Sequence, residues 1–100
     1  MKIVSFNINS IRARPHQIEH LRDTIDPDVI GLQETKVNDP DFPIEVINDI
    51  GYHVEYHGQK GHYGVAILSK SKPLSTVKGF INDTEEDQKR FIQSTYKFGN

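Results

Sequence analysis

The chain has 100 residues, 35% of them apolar, with seven Gly, no Cys and a formal net charge of −2. That length allows one domain with a modest core, and the lack of Cys excludes a disulfide framework and thiolate metal sites. The slight negative charge excludes the general attraction to nucleic acid shown by strongly basic binders, so any phosphate-binding surface has to be local.

In chain order, Lys2 to Asn7 is rich in Ile, Val and Phe and reads as a strand. It turns polar too early for a signal sequence, and no apolar run in the chain reaches membrane-spanning length. A cytoplasmic protein without membrane contact is the expectation. Pro15 suits a first helical position, and Ile18, Leu21 and Ile25 recur at helical spacing until Asp26-Pro27 stops them. Val29 to Leu32 is a second strand, which makes the unit β-α-β with parallel neighbours. Pro43 opens a short helix in which Val46, Ile47 and Ile50 share a face and Gly51 supplies the stop. From Tyr52 the period becomes two, with Tyr52, Val54 and Tyr56 on one face. Gly58-Gln59-Lys60-Gly61 is a turn, and Gly64 to Leu68 returns as the other arm of an antiparallel hairpin. Leu74 to Lys78 is a weak strand, Asn82 to Gln88 an acidic loop, and Phe91 to Phe98 a last strand. The expectation is a sheet of five or six strands with two helices, which cover one face and leave apolar surface on the other.

Asn7 and Glu34 stand at the ends of the first two strand patterns, so both emerge at one sheet edge, where α/β folds place ligands. One neutral and one anionic oxygen donor suit a hard cation such as Mg²⁺ that keeps most of its waters. The alternative is that both are strand-end polar residues bonded to neighbouring loops. His16 and His20 stand four apart on a helix, a zinc spacing, but a third ligand is not evident and a solvated helix face is the better reading. His53 and His57 lie on a strand, about 13 Å apart, too far to share a metal. The glycines of Gly58 to Gly64 suit either a phosphate cradle with Lys60 and His62 or a hairpin tip that needs positive φ. Arg12, Arg14, Lys36, Lys89 and Arg90 form a local phosphate patch if they cluster, and are solubilising charge if they do not. The acidic run Asp83, Glu85, Glu86 and Asp87 reads as a solvated loop.

Three longer segments carry a resemblance: Ser5-Phe6-Asn7-Ile8-Asn9-Ser10-Ile11-Arg12-Ala13, Pro27-Asp28-Val29-Ile30-Gly31-Leu32-Gln33-Glu34-Thr35-Lys36 and Tyr56-His57-Gly58-Gln59-Lys60-Gly61-His62-Tyr63-Gly64-Val65-Ala66-Ile67-Leu68-Ser69. Over nearly all 100 residues the chain resembles the N-terminal part of bacterial exonuclease III, in the endonuclease/exonuclease/phosphatase superfamily. The resemblance implies half of a four-layer α/β sandwich, a mixed sheet with flanking helices, with residues 1–100 as the N-terminal portion of one domain. It also implies a DNA repair nuclease, monomeric at full length. Such an enzyme hydrolyses phosphodiesters with Mg²⁺, or Mn²⁺ as a substitute, at 3′ ends of duplex DNA and at abasic sites. Glu34 and Asn7 then match the metal position and Asn9 a near-metal position. Arg12, Lys36, His62 and Arg90 match DNA-backbone or site-stabilising positions. Ser10 departs from the glycine usual at its position. The family's catalytic Tyr, its Asp-x-Asn segment and its terminal Asp-His pair have no match in these residues. The 100 residues alone are therefore expected to be inactive, and molten or aggregating because an inner sheet face is exposed. The alternatives are a non-catalytic remnant with weak metal or DNA binding, and a relative acting on phosphoinositides or RNA.

Overall fold

Alternating apolar residues form strand β1, Ile3–Asn7, in the computed structural model, which describes residues 1–59, 61–79, 89 and 91–97. Helix α1 follows over Pro15–Thr24, with Pro15 in its first turn, and its apolar side buries Ile18 and half-buries Leu21. Ile25 lies past the helix end and is 40% exposed, so it does not share the buried face as the spacing suggested. Asp26 at φ 54 turns the chain there.

Strand β2, Val29–Gln33, runs parallel to β1, with Ile3 opposite Val29 and Asn7 opposite Gln33. This is the expected β-α-β unit. A 3₁₀ turn at Asp39–Asp41, not anticipated from the sequence, leads into helix α2, Ile44–Ile50, which Gly51 ends in the left-handed region at φ 119. Ile47 and Ile50 are buried, but Val46 is 44% exposed and does not belong to their face.

Strand β3, His53–His57, and strand β4, Val65–Ser69, pair antiparallel as the hairpin that the change of period indicated. β4 inserts beside β2, also antiparallel, and gives a mixed sheet of order β1-β2-β4-β3. One face carries Ile30, Leu32, Val54, Ala66 and Leu68, which join Ile18, Ile47, Ile50, Phe42 and Tyr52 in a single core cluster. Each fully buried Ile or Leu there contributes about 1.5–3 kcal/mol. The Tyr52 hydroxyl donates to Pro27 O at 3.0 Å, so its polar end is satisfied inside that core.

The last two strands correct the expectation of one larger sheet. Among the described residues, strand β5, Ser75–Lys78, pairs with strand β6, Ile92–Thr95, alone, in a separate antiparallel ribbon. The ribbon touches β3 and β4, and Ser94 and Tyr96 line a shallow cavity of about 350 Å³ with Ile3, Gly31 and Ile67 on the sheet's second face. Leu74 and Ile3 remain 68% exposed, in line with the apolar surface expected. The expected acidic loop of residues 82–88 lies outside the described residues.

Candidate active site

The site is built where three loops are laced together at one end of the sheet. Past the end of β1, Ser10 N–H donates to Glu34 O at 2.9 Å and Ile11 N–H to Thr35 O at 3.1 Å, so the loops after β1 and β2 run side by side. The hairpin tip docks on the same segment, with Thr35 N–H donating to Gly64 O and Lys36 N–H to Tyr63 O. Gly64 has φ 86, and a Cβ there would run into the Thr35 hydroxyl, so only glycine fits this approach. Gly64 N–H in turn donates to Lys89 O at 2.8 Å, and Lys89 N–H donates to the Gln59 side-chain oxygen at 2.9 Å.

These loops hold unusual backbone. Asn9, Ser10, Glu34, Lys36 and Tyr63 all have positive φ, and Asp26 is the one such non-glycine among the described residues that lies elsewhere. Conformations of this kind cost of order 1–3 kcal/mol each and cluster where function demands a particular side-chain placement. Ser10 sits at φ 85, which explains why a glycine at this position would be unstrained.

Side chains converge from the same loops. The Asn7 amide donates to Glu34 Oε2, and Asn7 Oδ1 accepts from Asn9 N–H at 3.0 Å. The Lys36 ammonium donates to Asn9 Oδ1 at 2.6 Å and lies 3.5 Å from Glu34 Oε1. The Arg14 guanidinium donates to Asn9 O. The Asn7 hydrogen bond, and after it Lys36, hold the Glu34 carboxyl below the usual carboxylate range, so it is an anion at neutral pH. Asn7, Glu34 and His62 line a cavity of about 430 Å³, together with Gln33, Tyr63, Gly64, Val65 and Lys89.

Of the residues singled out in the sequence, Asn7, Asn9, Glu34, Lys36 and His62 meet here. Arg12 is exposed on the loop after β1 and does not line the cavity, and Arg90 lies outside the described residues. His16 and His20 stay exposed on α1, away from the site, beside a separate hollow with Phe6 and Leu21. Lys89, singled out as part of a possible phosphate patch, also lines the cavity, and Arg14 of the same patch bonds Asn9 O beside it, whereas Gln33 and Tyr63 are additions. Lys89 carried a signal as half of a basic pair, whereas Tyr63 reaches the site only through the docking of the hairpin tip.

A model of the endonuclease/exonuclease/phosphatase family matches residues 4–98. The chain belongs to this family. It is 56% identical over 94 residues to exodeoxyribonuclease III of Haemophilus influenzae, an alignment that takes in 94% of this chain and 35% of that protein. The Bacillus subtilis exodeoxyribonuclease is 34% identical over 104 aligned positions, covering all of this chain and 39% of the relative. Among solved structures, an AP endonuclease from Archaeoglobus fulgidus superposes with a TM-score of 0.84 at 39% identity, covering 94% of this chain and 36% of that one. A Neisseria 3′ phosphatase bound to a product DNA hairpin superposes with a TM-score of 0.86 at 35% identity, covering 96% and 37%. The chain thus spans a little over a third of the length of these relatives. The mixed sheet with its helices is the AP endonuclease/exonuclease III fold over the part compared. By name the relatives include exodeoxyribonucleases, an AP endonuclease and a DNA repair nuclease of Danio rerio.

Proposed function

We propose that the polypeptide carrying this chain is a DNA repair nuclease that hydrolyses phosphodiesters of duplex DNA at 3′ ends and abasic sites, and that Glu34 is its cation ligand. The observation that carries this reading is the anionic Glu34 carboxylate, held by Asn7 on the wall of a cavity that His62 and Lys89 also line.

The donor chemistry fits a hard divalent cation. Glu34, 42% exposed, faces the Asn7 amide nitrogen, and the amide oxygens of Asn7 and Asn9 accept from Asn9 N–H and the Lys36 ammonium in the same loops. No cluster of three or more His, Cys, Asp or Glu capable of holding a metal occurs among the described residues. One carboxylate with neutral oxygens suits hydrated Mg²⁺, or Mn²⁺ in its place, rather than a structural zinc. When bound, such an ion offsets negative charge on the transferring phosphoryl group. Asn7 fixes the rotamer of Glu34, and Asn9 fixes Asn7 through its backbone N–H. Lys36 and Lys89 make the local positive surface that a chain of net charge −2 needs to receive a phosphate, and His62 lines the same cavity. Arg12 and Arg90 are assigned to DNA binding in the same reading, Arg90 from its place in the sequence alone. Residues 1–100 as the N-terminal portion of one domain, a monomer and a cytoplasmic location complete the proposal. They rest on the family match over residues 4–98 and on the Cys-free composition.

The test uses the full polypeptide that carries these residues. Glu34→Gln keeps the shape and removes the charge, and it lowers Mg²⁺-dependent cleavage of abasic duplex DNA by about 10²-fold or more. Cleavage at the unmodified rate would overturn the assignment.

A further inference from the structure

Both oxygens of Glu34 are already engaged, one by the Asn7 amide and the other by the Lys36 ammonium at 3.5 Å. Lys36 is 26% exposed, and its Nζ is also held by Asn9 Oδ1 at 2.6 Å. Asn9 is fixed in turn, its N–H on Asn7 and its carbonyl under the Arg14 guanidinium. Glu34, Asn7, Asn9 and Lys36 therefore close a ring of four residues, through three side-chain contacts and the Asn9 backbone N–H, and Lys36 supplies its positive charge. The members differ in reach. Asn7 has two side-chain torsions, whereas the ammonium on its four-carbon stem can swing several ångströms while the Lys36 backbone stays bonded to Tyr63 O.

A divalent ion at Glu34 Oε1 would stand about 4–5 Å from an ammonium left in place, and charges of +2 and +1 at that distance repel even in water. We propose that Lys36 is an exchangeable internal counter-cation of Glu34, which neutralises the carboxylate until a divalent ion enters and then gives up Oε1. This rests on the reading of Glu34 as the cation ligand. Its consequence is a resting site of reduced affinity for divalent ions, whose affinity rises when a phosphate draws the ammonium away.

Mn²⁺ binding to the full polypeptide, measured by electron paramagnetic resonance without DNA, separates the two claims. Lys36→Gln is expected to tighten binding about three- to tenfold, and Lys36→Arg, which keeps the charge, to leave it nearly unchanged. Binding that is unchanged or weaker in Lys36→Gln overturns the exchange. Binding that is indifferent to Glu34→Gln overturns the underlying ligand assignment, and the exchange with it. A second readout needs no variant: Mg²⁺ added to the unmodified protein shifts the Lys36 ¹³Cε resonance, and a resonance that does not move contradicts the proposal.

Discussion

At Gly64 the backbone stands at φ 86 with the Thr35 hydroxyl where a Cβ would go, whereas Gly61 has a similar φ of 81 and open space around it. The two glycines separate conformational strain from collision. Gly61→Ala is expected to cost about 1 kcal/mol from backbone strain, and Gly64→Ala about 2 kcal/mol or more, because the hairpin tip must also lift from the Glu34 loop. Chemical denaturation of the two variants gives the comparison, and equal losses would mean that the docking is not tight. Asp28 is a second residue with a defined effect. Its carboxylate accepts the Lys2 backbone N–H at 2.8 Å, and that bond, followed by the charge of Lys70, lowers its pKa. A lowered pKa means stability that is present above the unfolded value, about 3.9, and is lost as pH falls through the folded one. Asp28→Asn keeps an acceptor for Lys2 but does not titrate. Stability measured from pH 5 to pH 2 should therefore fall less steeply in the variant.

At the scale of elements, α2 shows which information the sequence held and which it lacked. Val46 and Ile47 are adjacent and both apolar, yet neighbours on a helix point about 100° apart, so only one of them can face the sheet. Packing against β3 and α1 selects Ile47, which is fully buried. Ile47→Ala should cost about 2–5 kcal/mol, and Val46→Ala should stay within about 0.5 kcal/mol, as read from thermal or denaturant unfolding. The strands were more legible. The apolar run Val29 to Leu32, the period-two alternation of Tyr52 to Tyr56 and the glycine-bounded hairpin each marked a strand or its turn. Assignment of β5 and β6 to a separate ribbon was not legible, because periodicity reports which face is buried and not which strand is the neighbour. The candidate site divides the same way. Asn7 and Glu34 follow from their places at strand ends. Tyr63 and Lys89 depend on loop docking through Lys36 N–H to Tyr63 O and Gly64 N–H to Lys89 O, long-range bonds that no local pattern encodes.

Across the whole molecule the sheet has two polar ends of different character. At one end Asp26 and Asp28 bind Lys70, at 2.8 Å and 3.9 Å, in exposed ion pairs that contribute little stability. At the other, Glu34 stands among strained loops with Asn7, Asn9, Lys36 and His62. β2 connects them: Asp28 precedes it and Glu34 follows it, so roughly 20 Å of extended chain separates the two acidic residues. The central claim is that a divalent cation chooses the Glu34 end, and not the richer pair of carboxylates or the His16 and His20 face of α1. Mn²⁺ titrated into the full polypeptide and followed by amide NMR decides between them. The account predicts that the resonances of Asn7, Glu34 and Gly64 broaden first, whereas first broadening at Asp26 and Asp28, or at His16 and His20, would contradict it.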